Sequence, residues 1–212
     1  MRPCSSSRKP FGIAKRDPSL REATGPEHHR RVTRYCFAEA DVDRLLALYN
    51  DLEVMRFING GKPTSREKVE REYRERFAGD GYWAAVEKAT GEFVGWFALH
   101  PTEGDGPEGY ELGYRLERFA WGKGYATEGS RALIRKGFTE LGVRRVWAQT
   151  MAINLASRRV MEKAGLAYVR MFRLEWEDPL PGTEHGEVEY ALTKDDWERR
   201  EAGGSGQRGA AG

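Results

Sequence analysis

The run Trp121-Gly122-Lys123-Gly124-Tyr125-Ala126-Thr127-Glu128 places two glycines directly before an amphipathic periodicity, and residues of these types at this spacing hold anions. Glycine has no Cβ, so successive main-chain N–H groups can crowd around a phosphate. The first turn of a following helix adds unsatisfied donors at the positive end of its dipole. The expected ligand therefore carries phosphate. Such a cradle needs a strand before it and a helix behind it. The segment 110–117 is strand-like. Beyond the loop, Ala126, Ser130, Leu133, Ile134, Gly137, Phe138 and Leu141 share one helical side, with Glu128, Arg131, Arg135 and Thr139 on the other.

The remaining periodicities alternate in the same orderly way. Residues 32–37 read as a strand. Val42, Leu45, Leu46 and Tyr49 then recur at helical spacing, and the apolar stretch 54–58 predicts a second short helix. Thr64-Ser65-Arg66-Glu67 has the form of a capping box opening a charged helix with the stripe Val69, Tyr73 and Phe77. The runs 82–87 and 93–100 predict an antiparallel hairpin, and Glu103-Gly104-Asp105-Gly106-Pro107 turns the chain into the strand before the loop. Then come a strand at 145–150, a helix at 155–164 closed by Gly165, and strands at 168–176 and 187–193. The order β-α-α-α-β-β-β-α-β-α-β-β makes a mixed sheet with helices on its faces.

With 39% hydrophobic residues, the 212-residue chain can bury one substantial core. A single folded domain is expected over 30–201, with a disordered extension at 1–29 and a disordered Gly/Ala-rich tail at 202–212. Thirty-five basic against 33 acidic side chains leave a net charge of +2, too balanced for the non-specific phosphate attraction of a nucleic-acid protein. Cys4 and Cys36 lack C-x-x-C spacing, and His28, His29, His100 and His185 form no ligand pattern, so neither a metal nor a disulfide framework is expected. No apolar run is long enough for a membrane span and the N-terminus lacks a signal-peptide core, which points to the cytosol.

Three features in this order, Glu111-Leu112-Gly113-Tyr114-Arg115-Leu116, the loop 121–128 and Asn154-x-x-Ser157-x-x-x-Met161-Glu162-Lys163-Ala164-Gly165-Leu166, resemble the GCN5-related N-acetyltransferases over about 31–197. The branch they look most like is the ribosomal-protein-alanine N-acetyltransferase type. The resemblance implies an α/β (α+β) fold, a mixed and mostly antiparallel central sheet with helices on both faces. It implies acetyl-CoA as co-substrate, a primary amine as acceptor, and no metal. The family signature Gln/Arg-x-x-Gly-x-Gly/Ala is met by Gly124 and Ala126, whereas Trp121 stands at its first position. The cofactor-binding set is then Trp121, Gly122, Lys123, Gly124, Tyr125, Ala126 and Thr127, with main-chain pairing to the pantetheine arm at Tyr114, Arg115 and Leu116. Such pairing treats the cofactor as an added strand. Asn154 corresponds to an asparagine that contacts pantetheine; as a residue it equally suits the cap of the helix at 155.

Direct transfer needs removal of the amine proton, a donor for the carbonyl oxygen and an acid for the departing thiolate. Many relatives supply the acid from a helix tyrosine, but Met161 stands there. The branch resemblance assigns the role to Ser157, which otherwise reads as a helix serine bonded to its own backbone. Glu111 is the candidate base, acting through water, or else a solvated strand carboxylate; His100 is a reserve base. The N–H near Leu116 would polarise the thioester. Cys36 reads as a buried core thiol rather than a nucleophile.

A dinucleotide-binding reading fails because Gly122-Lys123-Gly124 follows an antiparallel hairpin and is succeeded by Glu128-Gly129, not by G-x-G-x-x-G after a first strand. A non-catalytic acyl-CoA-binding module stays open, kept alive by Met161. Acceptor choice should lie in the variable segments 52–67 and 178–185. A protein N-terminus or a small amine such as a polyamine or amino sugar fits the chemistry; no acidic cluster beyond the one loop with Glu103, Asp105 and Glu108 stands out to recruit a polycation, which favours a peptide or small monoamine over a polyamine. Aromatic strands near the C-terminus offer an edge on which two copies could pair, as family members frequently do.

Overall fold

The computed structural model describes residues 31–102, 109–175 and 178–206. Among the described residues seven strands form one sheet in the order β1-β2-β3-β4-β5-β7-β6. Four of them, β1 (Val32–Tyr35), β2 (Tyr82–Glu87), β3 (Phe93–Pro101) and β4 (Gly109–Leu116), make an antiparallel meander. A second antiparallel group holds β5 (Arg145–Met151), β7 (Glu187–Thr193) and β6 (Ala167–Phe172). The two groups meet only where β4 and β5 run parallel.

On one face of the meander lie α1 (Val42–Tyr49), α2 (Leu52–Asn59) and α3 (Arg66–Glu72), the last continued by a π-helical turn, Tyr73–Phe77. Leu45, Leu48, Val69 and Phe77 carry their apolar stripes into a core with Tyr82 and Trp96. On the opposite face α4 (Tyr125–Glu140) and α5 (Leu155–Ala164) cover Phe97, Leu99, Leu112, Val146 and Tyr190. The expected apolar side of α4 is buried: Ser130, Leu133, Ile134, Gly137 and Phe138 all face the sheet.

Several expectations are corrected. The cap of α3 is Ser65, whose hydroxyl accepts from Lys68 N–H at 3.3 Å, not Thr64. Thr64 is buried one residue earlier, its N–H donating to Asn50 Oδ1 at 3.0 Å, and that anchor sets where the helix begins. β6 ends at Phe172, four residues before the expected boundary. A sixth helix, α6 (Lys194–Gly206), extends past residue 201. Trp197 packs on Phe138 with centroids 5.6 Å apart, Arg135 pairs with Glu201 at 2.7 Å, and Arg200 donates to the Gly165 carbonyl. These contacts, invisible to local periodicity, hold it against α4 and α5. Cys36 is exposed beyond β1 rather than buried in the core. The expected extension at 1–29, the loop at 103–107 and the tail from 207 lie outside the described residues.

One contact decides how closely α4 approaches the sheet. A Cβ on Gly129 would stand 2.3 Å from Phe97 Cζ, and Phe97 is fully buried. Gly→Ala in a helix interior normally gains up to about 1 kcal/mol. Here overpacking, at about 1–3 kcal/mol, opposes it. Because the atom met is a ring with no room to turn, the steric cost wins. Gly129→Ala should lower the melting temperature by about 2–4 °C for each kcal/mol of net loss, measured by thermal unfolding; an unchanged or higher value would show that α4 can shift freely.

Candidate active site

The glycine loop has the shape of an anion cradle. Gly122 and Gly124 take φ of 71° and 84°, a left-handed conformation that reverses the chain between β4 and α4. No side chain caps α4, so the first-turn N–H groups of Tyr125, Ala126 and Thr127 open outward from the helix end. Trp121, exposed on one side, donates Nε1–H to the Leu116 carbonyl at 2.8 Å and so ties the loop to the strand before it. Lys123 extends over the Phe119 ring, its nitrogen 5.6 Å from the centroid. Tyr125 is buried and donates its hydroxyl to Glu87, which makes its side chain a support and leaves its N–H to the cradle.

A residue that the sequence reading missed stands over this loop. Arg31 donates its N–H and Nε–H to the Glu128 carboxylate at 3.1 and 3.2 Å and lies 5.0 Å over the Tyr125 ring. Its terminal nitrogen is 3.2 Å from where a Cβ on Gly124 would sit. Glu128 therefore does not face solvent as expected; it neutralises and orients a guanidinium at the rim of the cradle. Nothing local signals this pairing, because the partners are 97 residues apart.

The second component is a divergence in the sheet. β4 pairs with β5 only at Gly109–Arg145, Tyr110–Val146 and Glu111–Trp147. Beyond these, β4 continues against β3 to Leu116 and β5 against β7 to Met151. Thr102 N–H donates to Gly109 O, and Glu117 N–H to Val94 O, so the odd-numbered residues of β4 spend their main-chain groups on β3. The even-numbered ones address the opened side. Tyr114 and the Leu116 N–H thus lie on the opened side, the Leu116 carbonyl being taken by Trp121, whereas Arg115 does not. Arg115 belongs to the β3 ladder opposite Trp96, and its guanidinium stacks over Tyr49 at 4.4 Å on the far face. Its proposed place in the cofactor set is corrected accordingly.

Across the gap stands the start of α5. Asn154 caps it, Oδ1 accepting from Ser157 N–H at 3.2 Å while Nδ2 donates to Thr150 Oγ1 at 3.0 Å. The capping role is therefore real, and one amide proton and one lone pair of that side chain remain for a ligand. Ser157 Oγ lies 2.9 Å from the Tyr114 hydroxyl, which is also 3.2 Å from the Ser157 carbonyl oxygen. Burial pushes the Tyr114 phenol up to about 12. Met161 is buried in the core, so no hydroxyl comes from that turn of the helix.

Glu111 occupies the apex of the divergence, beside Trp147 on β5 and opposite His100 on β3. It shares the α1–α3 side of the sheet with His100, which stacks on Tyr82 with centroids 5.3 Å apart. Burial raises the Glu111 carboxyl above its ordinary range, with His100 and then Arg76 pulling against that. The two segments expected to govern the acceptor touch each other: Lys62 pairs with Asp178, and Leu180 Cδ2 lies 3.1 Å from where a Cβ on Gly60 would sit. Between α2 and the end of β4, Asp51, Glu53, Glu117, Arg118, Phe119 and Trp121 line an open recess of about 790 Å³. The Glu117 carboxyl there is raised by burial and then by Asp51 and Glu92. This acidic lining comes from separate elements and was not legible as a cluster; the expected acidic loop, with Glu103, Asp105 and Glu108, lies outside the described residues. Among the described residues no group of three or more His, Cys, Asp or Glu is placed to hold a metal, and no helix is long and apolar enough to cross a membrane.

Comparison with known proteins agrees with this geometry. The profile of the acetyltransferase (GNAT) domain matches residues 31–167. FsC-acetyl coenzyme A-N(2)-transacetylase of Aspergillus fumigatus is 37% identical over 161 residues, which cover 70% of this chain and 68% of that one. A GNAT-family acetyltransferase structure from Bacillus anthracis superposes with a TM-score of 0.66 at 24% identity, covering 78% of this chain and 96% of that one. Spermidine N-acetyltransferase from Vibrio cholerae, solved with CoA and spermine, gives a TM-score of 0.66 at 13% identity, covering 79% and 98%.

Proposed function

This chain belongs to the GNAT acetyltransferase family, an acyl-CoA-dependent N-acetyltransferase with acetyl-CoA as co-substrate, and on that premise we propose that its acceptor is the primary amine of a small cationic molecule. The observation that carries the proposal is the divergence of β4 from β5 directly after Glu111, with the glycine cradle beyond one strand and the start of α5 beyond the other. The cradle receives the pyrophosphate, and the edge of β4 at Tyr114 and Leu116 pairs with the pantetheine. The thioester then lies in the gap between Leu116 N–H and Ser157. The amine approaches from the α1–α3 side, where Glu111 accepts its proton through water. The amine nitrogen attacks the acetyl carbon, the C–S bond breaks, and the sulfur takes a proton from Ser157.

A small cationic acceptor is favoured over a protein N-terminus by three things. The recess lined by Asp51, Glu53 and Glu117 lies beside the end of β4, and although Arg118 pairs with Asp51 there at 4.0 Å, its carboxylates outnumber that one cation and favour a positively charged acceptor. Among the proteins that it resembles, one is named as an N(2)-transacetylase, and fold neighbours are named for spermidine and for aminoglycosides. The contact between α2 and the segment around Leu180 also narrows the approach that a polypeptide would need. The test is release of free thiol from acetyl-CoA, coupled to detection of acetylated product, against polyamines, diamino acids, aminoglycosides and N-terminal peptides. Turnover is expected with small polyamino compounds and at most weakly with peptides. Preferred turnover of peptides would overturn the acceptor class, and tight acetyl-CoA binding without release across the panel would make the protein an acyl-CoA-binding module.

A further inference from the structure

We propose that Tyr114 is a positioning residue for the departing thiolate: its hydroxyl, donated from β4 across the gap to Ser157, replenishes the proton that Ser157 gives to sulfur. The inference rests on the reading of Ser157 as the acid and adds a residue from a different element. An aliphatic hydroxyl acting alone is no stronger an acid than water, so a serine by itself is a poor match for a thiolate whose parent thiol titrates near that of cysteine, ~8.5. A phenol is a better source. Tyr114, even held up at about 12, gives up its proton more readily than an alcohol does. The position that would otherwise bring a hydroxyl from α5 is filled by the buried Met161.

The geometry supports a relay in one direction. Tyr114 has a single proton and two acceptors within reach, Ser157 Oγ at 2.9 Å and the Ser157 carbonyl oxygen at 3.2 Å. That carbonyl lies in the first turn of α5, where it also accepts from the main chain one turn later. The shorter contact is to Oγ. With the phenol donating there, the Ser157 proton is free to point away from Tyr114 toward the cleft. As the acetyl C–S bond breaks, sulfur takes the Ser157 proton, Ser157 takes the Tyr114 proton, and the phenolate is reprotonated from solvent when CoA leaves. No oxidant or further reactant is needed. The ring itself is held firmly, tilted against Phe97 with centroids 6.3 Å apart, so the hydroxyl is presented by a rigid strand and not by a loop.

The test is Tyr114→Phe, which keeps the ring and its packing. Single-turnover rates are measured with acetyl-CoA and with acetyl donors whose thiols span a range of acidity, from an alkyl thiol (the acetyl thioester of N-acetylcysteamine) to an aryl thiol. The variant is expected to bind acetyl-CoA within about twofold of the parent, to lose roughly tenfold or more in rate with alkyl-thiol donors, and to lose little with the aryl donor, which leaves without acid assistance. Ser157→Ala should show the same dependence on thiol acidity, and the double variant should be no slower than the worse single one. A merely structural hydroxyl would slow all donors alike. A uniform loss across donors, or no loss, overturns the inference while wild-type turnover leaves the acetyltransferase reading intact; absence of wild-type turnover with every amine would sink that reading instead.

Discussion

Gly124→Glu is expected to abolish acetyl-CoA binding. Three effects act together at this position. Gly124 has φ of 84°, so any side chain adds strain of about 1–2 kcal/mol. The new side chain emerges beside Arg31, 3.2 Å from its terminal nitrogen, and would compete for that guanidinium. A carboxylate also stands where phosphate must sit: at 4 Å and an effective dielectric constant near 20, each like-charge pair costs about 4 kcal/mol. The electrostatic part dominates, and at 1.4 kcal/mol per decade it exceeds a hundredfold in affinity. Gly142→Glu is the matched control, since Gly142 has φ of 71°, has no atom within 4 Å of its Cβ position, and lies at the other end of α4. Calorimetric titration should show no binding to the first variant and normal binding to the second. Normal binding by Gly124→Glu would place the cofactor elsewhere; loss in both would mean that backbone strain alone disables the protein.

The parts of this site that the sequence made legible are those that depend on neighbours in the chain. Two glycines before an amphipathic run mark a strand-to-helix reversal wherever they occur, and the cap at Asn154 and the stop at Gly165 bound α5 by local rules alone. Alternation marked β4 as a strand. It did not say which residues would turn their main chain toward the cleft, because that parity is set by the partner strand. Val94 on β3 and Thr102 just past its end fix it, and the result excludes Arg115. The same limit hid Arg31 over Gly124, Tyr114 against Ser157 and the carboxylates of Asp51 and Glu117 in one recess. Each joins residues far apart in the chain whose adjacency follows from how helices and strands pack and not from any spacing. Branch-level likeness pointed to a hydroxyl at Ser157, yet only packing showed that a second hydroxyl stands behind it.

Glu111→Gln should lower kcat/KM at pH 7 by about a hundredfold or more, within the ~10²–10⁴ range of general acid–base catalysis. The reason is positional. Glu111 is the last residue of β4 that pairs with β5, so its side chain stands at the point where the gap opens, on the side along which the proposed route brings the amine. Burial raises its carboxyl, which makes the ionised form a better base than an exposed glutamate. The parent enzyme should therefore be active above this raised value and lose activity as pH falls through it. In the variant no such limb exists, and the residual rate should climb with pH toward the amine's own ionisation, near 10.4 for a lysine-like acceptor. Stability separates this chemistry from damage to the fold. A carboxyl whose pKa is higher in the folded state binds more protons folded than unfolded, so its ionisation weakens the fold as pH rises from the unfolded to the folded value. Glutamine has no charge to desolvate. Glu111→Gln should then melt at neutral pH no lower than the parent while turning over far more slowly. Measured together, a full rate at pH 7 would remove Glu111 from the mechanism, and a slow rate with a lowered melting temperature would assign it to the fold instead.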